Sequence, residues 1–150
     1  MIVYRLASSK YARDISGEGA SIYGGRWNPA GIKALYASQN ISLCILEILV
    51  RTQKKINPPG YQLITIELPE TDITTIKVSQ LKPGWKQHIE YTQWIGEEFL
   101  KENKSLIMQV SSAIVERENN FLINPLHKDF KSVKITGIEA LELDKRLNQI

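Results

Sequence analysis

The sequence has few of the residues that metal sites need. It contains one cysteine, Cys44, and two well-separated histidines, His88 and His127. These three residues cannot build a tetrahedral metal site unaided, so no metal is expected. Cys44 lies in an apolar segment, where a free cysteine usually serves as a small buried hydrophobic residue.

Long apolar runs and basic tracts are also missing. No apolar run is long enough to cross a membrane, and Met1–Arg5 lead into a predicted strand rather than a signal peptide, so a cytoplasmic protein is expected. The formal net charge is +3, and no run of Lys and Arg alternates with aromatic residues, so no nucleic-acid-binding surface is indicated. Without repeats, low-complexity tracts or linkers, the 150 residues predict one domain over 1–150.

The hydrophobic pattern predicts many short strands and two or three helices without strict alternation, which is typical of an α+β domain. Helices are predicted from about Ile41 to Thr52 and from about Tyr91 to Glu102, and Asn57–Gly60 is predicted to form a turn. Strands are predicted at Ala34–Ser38, Tyr61–Leu68, Ile107–Val110, Ala113–Val115, Phe121–Ile123, Val133–Thr136 and Ala140–Leu143.

A glycine-rich loop, Tyr23–Gly31, presents one arginine and one tryptophan, Arg26 and Trp27. Glycine lets a backbone approach another backbone or a ligand closely. An arginine presented in this way is suited to bind an anion, because the guanidinium group matches phosphate oxygens with paired hydrogen bonds. The alternative is a rigid loop in which Trp27 fills the core and Arg26 pairs with a carboxylate.

The predicted helix from Ile41 to Thr52 is strongly apolar and carries one carboxylate, Glu47. A carboxylate between residues such as Leu46 and Ile48 is rarely fully buried unless it is paired or functional. The alternative is that Glu47 belongs to an exposed stripe of the helix and faces water. The helix pattern by itself leaves both interpretations open.

Short segments along almost the whole chain follow a recognisable order. They are Tyr4–Leu6, Ser16–Ala20, Gly24–Gly31, Tyr36, Leu46–Glu47, Leu81–Trp85, Val110–Val115, Asn120–His127 and Asp144–Leu147. Together they resemble the RES-domain family, which is named for an arginine, a glutamate and a serine. The family generally has proline at the position of Ser111, so the pattern leaves open which of Ser111 and Ser112 faces the site.

The resemblance implies a fold similar to that of ADP-ribosyltransferase toxins, in which two facing mixed sheets form a cleft flanked by helices. It also implies an enzyme that consumes NAD by breaking the bond between nicotinamide and ribose. That bond breaks through an oxocarbenium-like state, which requires a clamp for the pyrophosphate and a negative charge near the ribose. NAD would be a substrate and not a cofactor, with inorganic phosphate as co-substrate where phosphate is the acceptor.

The resemblance assigns the catalytic role to three residues. Arg26 is implied to clamp the pyrophosphate, Glu47 to hold ribose hydroxyls and stabilise the positive charge, and Ser112 to donate a hydrogen bond to phosphate or to the nucleophile. Arg26 and Ser112 thus also belong to the substrate-binding set. Tyr36 is expected to stack on nicotinamide or to bind the ribose. Asn124 is expected in the substrate-binding set as well, with a turn role as the alternative.

Other distinctive residues are expected to be structural. Trp27 is predicted to fix the loop by packing, His127 to lock a loop through a hydrogen bond, and Arg146 to pair with an acid. Glu116 and Glu118 copy the paired glutamates of some ADP-ribosyltransferases. A motif this short also arises by chance, and the resemblance favours the glutamate on the apolar helix.

The resemblance further implies the toxic half of a toxin–antitoxin pair, whose partner carries an Xre-like helix-turn-helix domain. The antitoxin would block the cleft until it is degraded, after which NAD would be depleted. Two alternatives stay open: an enzyme that transfers ADP-ribose onto a host protein, and a non-catalytic module that binds NAD or ADP-ribose. The sequence specifies neither the acceptor, which is phosphate, water or a side chain, nor whether the chain is a monomer or a homodimer.

Overall fold

The strands of the protein form one mixed sheet. The computed structural model describes residues 1–52 and 60–149. The strands in these ranges are β1 (Ile2–Ser8), β2 (Leu35–Ser38), β3 (Tyr61–Glu67), β4 (Ile73–Ile76), β5 (Ile107–Ser111), β6 (Asn119–Ile123) and β7 (Lys134–Ala140). Their order across the sheet is β4-β5-β6-β2-β1-β3-β7. The β4–β5 pair is parallel, and the other neighbouring pairs are antiparallel.

Within the described ranges, three α-helices accompany the sheet: α1 (Glu18–Tyr23), α2 (Ile41–Thr52) and α3 (Ile89–Glu102). The predicted bounds of α2 are confirmed, and α3 begins two residues before its predicted start. Short 3-10 helices lie at Ser9–Tyr11, Val78–Gln80, Trp85–Gln87, Lys128–Ser132 and Lys145–Gln149. The α+β class predicted from the sequence is therefore confirmed.

Some predicted elements were wrong. Residues Ala113–Val115 form a turn and not a strand, because the hydroxyl of Ser112 accepts hydrogen bonds from the backbone N–H groups of this segment. The strand predicted at Val133–Thr136 is part of the longer strand β7, which ends at Ala140, and the strand predicted at Ala140–Leu143 is not formed beyond that residue. Strand β4 and helix α1 were not predicted. The turn predicted at Asn57–Gly60 lies outside the described residues except for its last position.

The two facing sheets implied by the resemblance are joined into a single sheet. β1 pairs with β3 along its whole length, and β2 pairs with β6 along its whole length. Within the described residues, β1 and β2 share the single pair Tyr4–Ser38. The sheet therefore consists of two well-paired halves, β4-β5-β6-β2 and β1-β3-β7, that meet at a narrow seam.

Alternation along the strands distributes the core over both faces of the sheet. One face carries a continuous apolar cluster that includes Val3, Ile64, Ile107, Phe121 and Ile123. The opposite face carries two separate clusters. Leu6, Cys44 and Leu63 pack beneath α2, whereas Trp27, Phe99, Met108 and Leu122 pack beneath α3. A gap between the two clusters of this second face is filled by polar side chains.

Candidate active site

Four polar side chains, Ser38, Glu47, Ser112 and Asn120, form a connected group in that gap. Ser112 Oγ donates a hydrogen bond of 2.8 Å to Glu47 Oε1, and Asn120 Nδ2 donates one of 2.5 Å to the same oxygen. Ser38 Oγ donates to Asn120 Oδ1 over 2.7 Å. This group, called the Glu47 group below, ties α2 to the strands β2 and β6 and to the end of β5.

The fold explains why these side chains meet. Ser38 and Asn120 are directly opposite each other in the β2–β6 ladder, so both side chains point to the same face of the sheet. β2 ends at Ser38 and α2 begins at Ile41, and this short connection brings the helix back over the strand. Leu43, one turn before Glu47, is completely buried, so this side of the helix faces the sheet. Glu47 therefore faces the protein and does not belong to an exposed stripe.

Ser112, and not Ser111, is the serine that contacts the glutamate. Ser111 is the last residue of β5 and points to the opposite face, whereas Ser112 is buried. The oxygen of the Ser112 hydroxyl accepts hydrogen bonds from the N–H groups of Ile114, at 3.0 Å, and Val115, at 3.1 Å. Its one proton goes to Glu47. In this arrangement the hydroxyl positions Glu47 and has no further proton to donate to phosphate or to a nucleophile.

Glu47 keeps one carboxylate oxygen open. Both hydrogen bonds from Ser112 and Asn120 reach Oε1, and no group in residues 1–52 or 60–149 donates to Oε2. The side chain is half-buried. A carboxylate that is fixed through one oxygen and open at the other can accept a ribose hydroxyl or stabilise a positive charge that develops beside it.

Helix α3 holds the backbone of the glycine-rich loop. Thr92 Oγ1 donates a hydrogen bond of 2.6 Å to the carbonyl oxygen of Arg26. Gln93 Nε2 donates one of 2.9 Å to the carbonyl oxygen of Gly25. Thr92 is fully buried, so the first of these bonds is shielded from water. The backbone on either side of the arginine is therefore anchored to one rigid helix.

Close packing between α3 and the loop depends on Gly96 and Trp27. A Cβ atom at Gly96 would overlap the carbonyl oxygen of Trp27, so only glycine permits this approach. The Trp27 side chain is buried and packs against Trp85, with ring centroids 5.9 Å apart and planes tilted by 39°. The predicted packing role of Trp27 is confirmed.

Asn28 and Tyr36 fix the loop from within. The amide nitrogen of Asn28 donates to the carbonyl oxygens of Ala20, at 2.9 Å, and Ile32, at 2.8 Å. The hydroxyl of Tyr36 donates a bond of 2.6 Å to Asn28 Oδ1 and accepts one of 3.0 Å from the N–H of Trp27. Asn28 is completely buried. The pair therefore serves as an internal brace that ties the loop to β2.

The Tyr36 hydroxyl has little capacity left for a ligand. Burial raises the pKa of Tyr36 far above its usual range, so the group stays neutral and its single proton goes to Asn28. A Cβ atom at Gly25 would come within 2.7 Å of the hydroxyl oxygen, which explains why glycine stands there. The structure thus gives Tyr36 a bracing role, and its expected contact with nicotinamide or ribose stays a prediction.

The Arg26 side chain has no acidic partner among the described residues, so the alternative in which it pairs with a carboxylate does not hold there. One of its N–H groups donates a hydrogen bond of 3.1 Å to the carbonyl oxygen of Lys86. The guanidinium carbon lies 5.8 Å from the centroid of the Trp85 ring, within the range of a cation–π interaction. The remaining N–H groups of the guanidinium are free of protein acceptors in the described part of the chain.

Asn124 does not join the other predicted site residues. It follows the end of β6 that is remote from Asn120, and four residues of strand separate the two by roughly 13 Å. Its amide nitrogen donates to the carbonyl oxygen of Leu100, at 3.1 Å, and to Asn103 Oδ1, at 2.9 Å. Its Oδ1 accepts from the N–H of Leu126 at 3.1 Å. These contacts are those of the turn role.

Two residues predicted to be structural have the expected partners. His127 Nδ1 accepts a hydrogen bond of 3.2 Å from the N–H of Asp129 and so fixes the start of a 3-10 helix. Arg146 forms an exposed ion pair of 2.7 Å with Asp144. Both of these predictions are confirmed.

The chain's one cysteine is also structural. Cys44 Sγ donates to the carbonyl oxygen of Tyr4 at 3.6 Å, and burial raises the pKa of its thiol to about 11. In the described ranges, no three His, Cys, Asp or Glu side chains cluster as metal ligands would. No helix described by the structure is long and apolar enough to cross a membrane.

Sequence reasoning offered Ser38 only as a candidate helix cap and assigned no site role to Ser38, Asn28 or Asn120. Asn120 had a visible signal, because it is a polar residue on the inward side of a strand that continues as Phe121–Ile123. Ser38 had the same signal at the end of β2. Which polar groups they would meet depends on strand register, and a single sequence does not reveal that register.

The chain is similar to known proteins along almost its whole length. A family model described as the RES domain matches residues 2–144. The protein "Toxin Res" of Photorhabdus laumondii is 37% identical, and the alignment covers 98% of this chain and 97% of that protein. The "Prs ADP-ribosylating toxin" of a Sphingobium species is 33% identical, with 91% of this chain and 88% of that protein covered.

A solved structure shows the same fold at lower sequence identity. The match is to the toxin–antitoxin complex MbcT–MbcA of M. tuberculosis, with a TM-score of 0.74 and 18% identity. It covers 99% of this chain and 86% of the matched chain. At that identity the likeness concerns the fold alone. The match of the family model over nearly the whole length, together with the similar curated proteins, shows that the chain belongs to the RES-domain family.

Proposed function

We propose that this chain is a toxin that breaks the bond between nicotinamide and ribose in NAD. The observation that carries the proposal is the state of Glu47, whose Oε1 is fixed by Ser112 and Asn120 while Oε2 is open. The names of the curated relatives, three of which are called "Toxin Res", support the toxic role. The relative named for ADP-ribosylation supports chemistry at the same ribose carbon.

The proposed reaction needs few groups. The electron pair of the N-glycosidic bond leaves with nicotinamide, which departs as a neutral molecule, and positive charge develops at the ribose. Glu47 stabilises that charge from a fixed position, so the protein does not need to reorganise as the bond breaks. An oxygen of the acceptor then bonds to the ribose carbon. Arg26 holds the pyrophosphate through N–H groups that have no protein acceptor in the described residues.

The products of the proposed reaction depend on the acceptor. With inorganic phosphate the product is ADP-ribose carrying a phosphate on the ribose carbon, and with water the products are ADP-ribose and a proton. A second candidate function is transfer of ADP-ribose to a host protein, which is supported by the printed name of the Sphingobium relative. A third candidate is a module that binds NAD or ADP-ribose without turnover.

We further propose that an antitoxin with an Xre-like helix-turn-helix domain holds this toxin inactive in the cytoplasm. The match to a chain of the MbcT–MbcA toxin–antitoxin complex supports an antitoxin partner. A segment that covers either Arg26 or Glu47 would inhibit the proposed reaction, because NAD must reach both side chains at once.

One reaction tests the proposal. Purified protein is incubated with NAD, with and without inorganic phosphate, and the products are identified by mass. Free nicotinamide and a phosphorylated ADP-ribose that form only when phosphate is present identify phosphate as the acceptor. ADP-ribose in both identifies water. Unchanged NAD after prolonged incubation with a protein that binds NAD would contradict the enzymatic proposal and support a binding module.

A further inference from the structure

A second cation lies beside Arg26 on the same aromatic ring. The ammonium nitrogen of Lys86 and the guanidinium carbon of Arg26 are each 5.8 Å from the centroid of the Trp85 ring. The hydrogen bond from Arg26 to the carbonyl oxygen of Lys86 holds the two residues together. Two positive charges are therefore gathered around one buried indole, which neither the sequence motifs nor the proposed reaction required.

Only one of these two cations has an acidic partner within the described residues. Lys86 Nζ lies 2.6 Å from Glu116 Oε2, and the two side chains are 33% and 49% exposed. Glu116 belongs to the turn that follows Ser112. An ion pair as exposed as this contributes little to stability, so a competing anion can displace the carboxylate at small cost.

The pair lies on an open cavity of about 450 Å³. Trp85, Lys86 and Glu116 line it, together with Leu81, Pro83 and Gln87. The cavity wall therefore offers an ammonium group and a carboxylate that is already bound to it. Arg26 does not itself line the cavity, but its guanidinium lies against Trp85, which does.

We propose that Lys86 is a second phosphate-binding cation and that Glu116 occupies it until a phosphate group displaces the carboxylate. An arginine binds phosphate oxygens in a fixed paired geometry, whereas a lysine adds a mobile point charge, so the two side chains complement each other on a polyanion. The ligand class is a phosphate group, which comes either from the pyrophosphate of a dinucleotide or from inorganic phosphate. The choice between those two sources rests on the function proposed above.

The proposal predicts opposite effects for the two partners of the ion pair. Lys86→Met removes the cation and weakens binding, by up to about fivefold for a charge contact that is partly exposed. Glu116→Gln removes the competing carboxylate and tightens binding by a similar factor. Lys86→Arg keeps the charge and retains most of the affinity. If the pair were only structural, Lys86→Met and Glu116→Gln would have the same small effect.

Calorimetric titration measures these affinities without relying on turnover. The probes are ADP-ribose, which carries a pyrophosphate, and inorganic phosphate. Lys101→Met and Glu97→Gln are the matched controls, because Lys101 and Glu97 form an exposed pair with the same N–O distance of 2.6 Å on α3. Both controls are expected to bind the probes as the wild type does. Thermal unfolding of every variant confirms that it is folded.

The outcomes separate this proposal from the proposed reaction. Weaker binding of ADP-ribose alone by Lys86→Met supports the site with pyrophosphate as its ligand, and weaker binding of phosphate alone supports it with inorganic phosphate. Either result stands even where the wild type fails to cleave NAD. Unchanged binding of both probes by a folded Lys86→Met protein overturns the proposal. Weaker binding by Glu116→Gln, or no binding of either probe by the wild type, also overturns it.

Discussion

Ser112 donates its only hydroxyl proton to Glu47, a residue that lies 65 positions earlier in the chain. The same hydroxyl accepts two backbone N–H groups from the turn that follows β5. The geometry of that turn therefore fixes the direction of the hydroxyl, and the hydroxyl in turn fixes the carboxylate. Ser112, at the end of β5, thus sets the orientation of the Glu47 side chain on helix α2.

Replacing Glu47 by glutamine removes the negative charge and keeps the shape of the side chain. We expect Glu47→Gln to lower the rate of NAD cleavage by about a hundredfold or more, the scale seen when a preorganised electrostatic group is removed. NAD affinity should change far less, because ground-state binding relies on Arg26. The measurements are nicotinamide release and the increase in melting temperature with NAD. Glu98→Gln, at an exposed position of α3, is the matched control. Wild-type cleavage by Glu47→Gln would refute the proposed mechanism.

The two adjacent serines should behave differently. Ser112→Ala leaves the N–H groups of Ile114 and Val115 without an acceptor and releases one side of Glu47. We expect it to lower the free energy of unfolding by about 1–3 kcal/mol and to reduce kcat as well. Ser111→Ala, whose side chain points to the other face of the sheet, should change neither quantity much. Denaturant unfolding and steady-state kinetics of both variants check this, and equal effects would contradict the assignment of Ser112.

Arg26 should not tolerate replacement even by lysine. Arg26→Lys keeps the charge but loses the paired hydrogen bonds, so we expect NAD consumption to fall by orders of magnitude while the protein still folds. Arg13→Lys is the matched control, since Arg13 is exposed. Far-UV circular dichroism confirms folding, and an NAD consumption assay gives the rate. Near-normal turnover by folded Arg26→Lys would rule out the clamp.

Tyr36→Phe tests the brace inside the loop. Removing the hydroxyl leaves the buried Asn28 Oδ1 without its donor and the Trp27 N–H without its acceptor. We expect the free energy of unfolding to fall by about 1–3 kcal/mol and the KM for NAD to rise as the loop loosens. Tyr23→Phe, at a tyrosine that is 85% exposed, serves as the control. A higher KM without any loss of stability would instead indicate a direct contact with the ribose.

Expression in bacteria tests the toxic role. The wild-type chain produced alone should stop growth and lower cellular NAD, and co-expression with a neighbouring antitoxin gene should restore both. Glu47→Gln, produced at the same level, should be harmless because it lacks the proposed charge. Normal growth with verified soluble wild-type protein would count against the toxin and in favour of the binding module.

Local patterns predicted the elements that depend on their own residues. The apolar spacing of α2 and the alternation of β3 gave bounds that agree closely with the structure. The strand predicted at Ala113–Val115 was wrong although its residues favour strands, because the side chain of Ser112 offers their N–H groups another acceptor. Strand β4 was missed because its partner β5 lies about thirty residues further along the chain, beyond any local window.

The site, like the secondary structure, was predictable only in part from the sequence. Arg26, Glu47 and Ser112 were identified through their resemblance to a family pattern, and the structure places Ser112 on Glu47. That Arg26 pairs with no acid among the described residues had no local signal, since it depends on which side chains the fold brings near it. Asn124 was expected in the substrate-binding set, with a turn role as the alternative, and it lies at the opposite end of β6 from Asn120.

The seam between β1 and β2 has a consequence for how the sheet opens. The carboxylate of Glu47 extends from a helix packed on the β1-β3-β7 half, and its partners Ser112 and Asn120 belong to the other half. Within the described residues β1 and β2 share a single residue pair, so these side-chain hydrogen bonds are a second connection between two cooperative units. Amide hydrogens near Ser38 will therefore exchange with solvent faster once these hydrogen bonds are removed, and a ligand that binds Glu47 tightly will slow the exchange.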